Sequence, residues 1–198
     1  MSRNSSKSYF VVSTAILSSL AILFDVMSDT FPLRAPWGMK IDFVGVIWIL
    51  AYFLYGLKEA LSVSIITAIF ISMVMPTGFL GATMKLIATL PMFLIPELIA
   101  RFYGSNKSAK IFNNIIIITI SCILATIVRM IVATILNLYW AIPIWFNISQ
   151  GEVLNLLGGW VPLVTLVAGF NVIQGIIDIL VSWLLAFKFN LSEYFGTW

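Results

Sequence analysis

The 198-residue sequence contains no histidine and a single cysteine. Without histidine there is no Ser-His hydrolase, no His-ligated zinc or haem site and no His proton relay. Cys122 stands alone in the apolar run Ile115–Val128, so an intrachain disulfide and a thiolate cluster are both excluded, and it reads as a small packing residue. Charge is also scarce. Asp, Glu, Lys and Arg make up 10% of the chain, against about 25% in soluble domains. Apolar residues reach 61% and the mean hydropathy is +1.07. Such a chain cannot cover itself with charge, which points to a polytopic membrane protein and removes the soluble-enzyme, disulfide-scaffold and nucleic-acid-binding classes. No nucleotide-binding motif such as a P-loop is present, so any ATP-driven work needs a partner.

Apolar runs set the organisation. Arg3 and Lys7 precede Tyr9–Phe24, but Asp25-Val26-Met27-Ser28-Asp29 follows in place of a small-x-small cleavage site; the run is expected to be a retained first span. Phe43–Leu57 follows, closed by Lys58-Glu59, then Leu61–Met75, closed by Pro76-Thr77-Gly78. Leu80–Phe102 contains Lys85 and Glu97, Ile111–Leu138 contains Arg129, and Gly158–Phe187 is the last run. Tyr139–Leu157 reads as a mixed aromatic and polar connection. At about 20 residues per crossing this predicts an all-α bundle of about six transmembrane helices in one integral-membrane domain, 1–198, with the second and third spans short and tilted. With both termini cytoplasmic, Arg3, Lys7, Lys58, Arg101, Lys107, Lys110 and Lys188 fall inside and only Arg34 and Lys40 outside, the expected positive-inside bias. The acids Asp25, Asp29, Asp42 and Glu152 then fall outside.

Polar residues within the spans are the candidates for chemistry. In the last span Asn171, Gln174, Asp178 and Ser182 are spaced 3, 4 and 4 apart and share one helix face. Polar groups there must be satisfied by protein, water or ligand, so the stripe serves either helix–helix hydrogen bonding or binding. The fifth span carries a matching stripe, Cys122, Thr126, Arg129, Ala133 and Asn137, that runs into Leu138-Tyr139-Trp140-Ala141-Ile142-Pro143. An amide beside aromatics suits a flat heteroaromatic ligand; an interfacial aromatic belt is the alternative. Arg129 is expected near the depth of Asn171 and Gln174, where it either pairs with Asp178 or meets an anionic or carbonyl group of a ligand. Lys85, near the outer end of the fourth span, either snorkels or binds. In the first span Thr14, Ser18, Ala21 and Asp25 form one small-residue line and Ala15 and Ser19 another, suited to close helix approach. Loop 28–41 is too long for a plain turn and reads as a lid or a static interfacial loop. Asn147-Ile148-Ser149 matches a glycosylation sequon, with meaning only in a secretory-pathway protein.

Taken together these segments resemble the substrate-binding S components of energy-coupling factor (ECF) vitamin transporters, particularly the riboflavin-type branch, over almost the whole chain. Thr14–Ala21 is similar to the family's first helix, with Ala15 and Ser19 matching an Ala-x-x-x-Ala line that meets the coupling subunit. Lys40-Ile41-Asp42-Phe43 resembles the Asp-Phe entry into the second helix, and Leu80–Leu90 the start of the fourth. Asn137–Pro143 is similar to the Asn-Tyr-(x)-Leu-Pro segment of riboflavin binders, and Phe170-Asn171-Val172-Ile173-Gln174-Gly175 to their Phe-Asn-x-x-Lys-Gly. Gln174 departs from that pattern, since an amide cannot supply the charge of Lys. Tyr55-Gly56-Leu57-Lys58-Glu59 also stands where many members carry Gly-Pro.

The resemblance implies a non-enzymatic subunit of the cell membrane. It would bind a small vitamin from outside between the outer halves of the last three helices, under loop 28–41. Asp42, Lys85, Arg129, Asn137, Tyr139, Asn171 and Gln174 are the implied substrate-binding residues, and Ala15 and Ser19 the implied docking residues. The implied partners are a transmembrane coupling subunit, two cytoplasmic ATPases and the lipid bilayer; no cofactor, metal or nucleic acid is implied. Riboflavin or a related flavin is the expected solute, with thiamine, pantothenate, biotin or a precursor as alternatives. An intramembrane enzyme using Asp178 and Glu97, and a membrane scaffold, are the rival classes.

Overall fold

The structure is a computed structural model that describes residues 3–28, 30, 34–35, 38–75, 78–103, 108–195 and 198, with the side chains described from residue 7 onward. The described residues form helices joined by short turns and irregular segments, and the one β-bridge among them is an isolated antiparallel pairing of Arg34 with Lys40.

Helix α2 (Val44–Tyr55) lies at the centre. Every residue from Val44 to Leu54 is buried, as expected of a helix that is apolar on all sides. It packs against α1 (Arg3–Ser28), α3 (Leu57–Val74) and α9 (Trp160–Trp183). Five helical stretches are long and apolar enough to cross a bilayer: Lys7–Ser28, Leu57–Val74, Gly78–Tyr103, Ile115–Phe146 and Trp160–Lys188. The 12 residues of α2 extend about 18 Å, well short of a hydrocarbon core about 30 Å thick. Gly56 (φ 92°) joins α2 directly to α3. A side chain there would be strained by that dihedral and would also press on Trp198, whose ring atoms lie from 3.1 Å away.

Two boundaries differ from the sequence expectation. The run Leu80–Phe102 is not one helix but two, α4 (Gly78–Thr89) and α5 (Pro91–Tyr103). Pro91 has no N–H to continue the ladder and its ring crowds the preceding turn, so α4 stops and Pro91 opens α5. The run from Ile111 begins as a 3₁₀ turn, and α6 (Ile115–Leu136) starts where the Asn114 side chain accepts a hydrogen bond from the Ile116 N–H at 2.9 Å.

The stretch after Leu138 is more helical than expected. Asn137–Ala141 forms one π turn, and α7 (Ile142–Phe146) continues from it until Asn147 adopts a left-handed conformation (φ 54°). Ser149 and Glu152 form a reciprocal capping box that opens the short α8 (Gln150–Leu156). The Ser149 hydroxyl and N–H hold the exposed Glu152 carboxyl below its ordinary pKa. The sequon of the sequence analysis is therefore used here as a helix stop and a helix start. A final short helix, α10 (Leu191–Phe195), follows a π turn at the end of α9.

Close approach of α9 to α2 depends on Gly45. A Cβ at that position would lie 2.5 Å from the Asp178 carboxylate. Gly45→Ala is expected to destabilise the protein by about 1–3 kcal/mol through overpacking. Gly169→Ala, in α9 with nothing within 4 Å of the added methyl, should stabilise it by about 0.5–1 kcal/mol. Thermal unfolding of the two detergent-solubilised variants checks both signs.

Candidate solute-binding cavity and its charge network

The two polar stripes converge. On α9, Asn171, Gln174, Asp178 and Ser182 are all buried; on α6, so are Thr126, Arg129 and Ala133, with Asn137 continuing the line into the π turn. Between these faces, α4 and the segment 38–42 lies a cavity enclosing about 890 Å³ of atom-free space, part of it open to solvent.

Arg129 spans the α9 stripe from Asn171 to Asp178. Its Nε donates to Asn171 Oδ1 at 3.1 Å and its Nη1 to Asp178 Oδ2 at 2.9 Å. The ion pair considered for Arg129 is thus formed, while the guanidinium still lines the cavity. Gln174 is fully engaged as a donor. Its Nε2 donates to the Asp42 carbonyl and to Asp178 Oδ1, both at 2.7 Å, and its Oε1 accepts from the Asp42 N–H at 3.1 Å. An amide nitrogen has only two hydrogens, so Gln174 holds the loop and Asp178 in place and has no donor left for a solute. Asn171 donates to the Val167 carbonyl at 2.8 Å.

Lys85 does not snorkel. Its Nζ donates to Asp25 Oδ1 at 2.5 Å and to Asp42 Oδ2 at 2.6 Å. Asp25 and Asp42, expected among the acids outside the spans, are 1% and 5% exposed. Lys40 is likewise buried, 3.2 Å from Asp25 Oδ1. A carboxylate inside an apolar bundle is tolerated only when paired, and three cations (Lys40, Lys85, Arg129) meet three anions (Asp25, Asp42, Asp178) here.

Asp42, Lys85, Arg129, Asn137, Asn171 and Gln174 all line the cavity. Tyr139 does not; it is 55% exposed, because it lies two residues beyond Asn137 and projects from the other side of the helix. The aromatic wall is Trp145 instead, on α7, whose ring lies 3.7 Å from the Cβ position of Gly38. Asn137 donates to its own helix at Ala133 O, 2.7 Å away, and its carboxamide oxygen accepts nothing among the described residues. Gly38, Met39 and Lys40 of the expected lid also line the cavity, in a turn closed by Ala35 N–H to Met39 O at 2.7 Å. Asp29, Pro32, Pro36 and Trp37 of that loop lie outside the described residues. On α1, Thr14, Ser18, Ala21 and Asp25 point inward, while Ala15 and Ser19 are exposed.

Residues 10–187 match the family model of the ECF transporter substrate-specific component. The chain belongs to this family. It is similar to the riboflavin transporter RibU of Streptococcus thermophilus, with 23% identity over 179 residues, 86% of this chain and 81% of that protein. Its fold is that of a solved S component of a bacterial ECF transporter, with a TM-score of 0.69 at 23% identity over 95% of this chain and 98% of the other. This S component is therefore a multi-pass membrane protein and not an enzyme. Asp178 and Glu97, weighed as acid and base, are instead held by Arg129 and, at 2.8 Å, by Arg101.

Breaking the Arg129–Asp178 pair should be costly. Arg129→Met is expected to destabilise the S component by about 3–5 kcal/mol, because a buried carboxylate loses its counter-charge. Adding Asp178→Asn should recover part of that loss. Denaturant titration in detergent of the single and double variants measures both.

Proposed function

We propose that the protein captures riboflavin, or a closely related flavin, at the outer face of the cell membrane for an ATP-driven ECF importer. The observation that carries this reading is the Asn137–Trp145 wall: an aromatic face and an amide whose oxygen has no partner among the described residues share one cavity under segment 38–42. Stacking and edge hydrogen bonding are what a flat heteroaromatic solute requires. Each cation on the wall, Lys40, Lys85 and Arg129, is already paired with a carboxylate, which favours an uncharged solute, since an added net charge finds no free counter-charge there. Riboflavin is uncharged, whereas pantothenate and biotin carry a carboxylate and thiamine a cation. The name of the Streptococcus relative points the same way.

In this reading the chain works as one integral-membrane unit of about six crossings with both termini cytoplasmic. The positive-inside bias then places the cavity on the outer side. With no nucleotide site of its own, the subunit takes its energy from a transmembrane coupling subunit and two ATPases. The face of α1 that carries Ala15 and Ser19, with exposed Val12, Ile16 and Leu23 beside them, is the docking surface.

Fluorescence titration of the purified protein should give saturable one-to-one binding of riboflavin, uncompeted by thiamine, pantothenate or biotin; competition by one of these would overturn the assignment. Asn137→Ala should weaken binding by about 1–3 kcal/mol, the scale of a lost buried hydrogen bond. Leu at both Ala15 and Ser19 should leave the titration unchanged and depress uptake in vesicles carrying the coupling module. Normal uptake would reject the docking face.

A further inference from the structure

Lys85 joins three elements that the chain positions separately. From α4 its ammonium reaches Asp25 near the end of α1 and Asp42 just before α2, at 2.5 and 2.6 Å. Asp25 is held a second time by Lys40, whose Nζ lies 3.2 Å from Oδ1 and donates to the Asp25 carbonyl at 3.0 Å. Asp42 is held from behind, where its Oδ1 accepts from Val44 N–H at 2.9 Å and its backbone is paired with Gln174. The result is a closed circuit: Lys40 and Asp42 are two residues apart in the loop, and Asp25 and Lys85 complete the connection between them. All four residues are largely removed from solvent, where opposite charges attract far more strongly than in water.

From this circuit we infer that Lys85 is a positioning residue. It closes an electrostatic clasp that fixes segment 40–42 to α1, so that the cover of the cavity and the first helix move as one body. Displacing α1 pulls on the cavity through Asp25, whichever solute the cavity holds. The clasp is independent of the flavin assignment; only its effect on solute escape rests on that reading.

Amide hydrogen exchange of the full-length protein without added solute tests the clasp directly. Lys85→Met should accelerate exchange of residues 38–44 by about tenfold, the effect of about 1.4 kcal/mol of lost local protection. Asp42→Asn keeps a side-chain oxygen for the Val44 N–H and should do the same. The double variant should add little to either single change, because both remove one interaction. Lys85→Arg, which can bridge two carboxylates, should restore protection, and residues 115–125 of α6 should be unaffected throughout. Unchanged exchange at 38–44 in Lys85→Met, or an equal rise across the whole chain, would overturn the clasp. Release of bound riboflavin is the second readout, expected to be about tenfold faster in Lys85→Met and restored in Lys85→Arg. A wild-type protein that binds no riboflavin would refute the flavin reading alone and leave the exchange result to judge the clasp.

Discussion

Burial of charge is the constraint around which this bundle is arranged. An ionised group in an apolar interior needs an opposite charge or hydrogen bonds, and Lys40, Lys85 and Arg129 each meet a carboxylate within 3.2 Å. Each partner comes from a different part of the chain, so no pair forms until helices have packed. Arg129 and Asp178 bring α6 to α9, Lys85 brings α4 to α1 and to the entry of α2, and Gln174 ties that entry to α9. These bonds specify register among helices whose lipid-facing surfaces carry little information of their own.

The apolar centre supplies what the charges cannot. Trp48, Tyr52 and Phe53 of α2 are fully buried, and Phe112 packs against both Tyr52 and Phe53. The half of the bundle around Tyr52 is therefore filled by rings, and at the half around Asp42 the side chains leave a cavity. Gly45 and Ala133, small residues on the walls, keep that space open where larger ones would close it. A short α2 fits this division: it fills the middle and leaves the segment before Val44 free to run over the cavity.

Much of the site could be read from helical periodicity. Asn171, Gln174, Asp178 and Arg129 lie on the stripes that their spacing indicates, because a long helix in an apolar solvent has few alternatives to burying its polar face. The stripe from Cys122 to Asn137 continues through Ala141 to Trp145 in steps of four, and both line the cavity. The expectation at Tyr139 rests instead on the resemblance of Asn137–Pro143 to the riboflavin binders' segment, and the same periodicity turns that residue outward. The pairing of Lys85 with Asp25 and Asp42 was not legible in the same way. It spans 60 and 43 residues and depends on how α4 is rotated ahead of the helix break at Pro91, which no local pattern encodes. Lys85 on its own sits close enough to the span's outer end to snorkel, and the charge pattern puts Asp25 and Asp42 outside the spans.

The amide at position 174 follows from the same balance. The riboflavin-type pattern has Lys there, and in this protein that would be a fourth cation against three anions, within bonding distance of an Asp178 already paired with Arg129. A second cation on one carboxylate would leave the buried wall with a net positive charge, which is costly without a solute anion to offset it. Gln174 avoids that cost and uses all its donors within the protein, two of its three bonds going to the backbone of Asp42. The Asn137 carboxamide oxygen and the ring of Trp145 are not drawn into that network. The ionic bonds hold the walls and the cover in place, and an amide oxygen and an aromatic face are left toward the cavity.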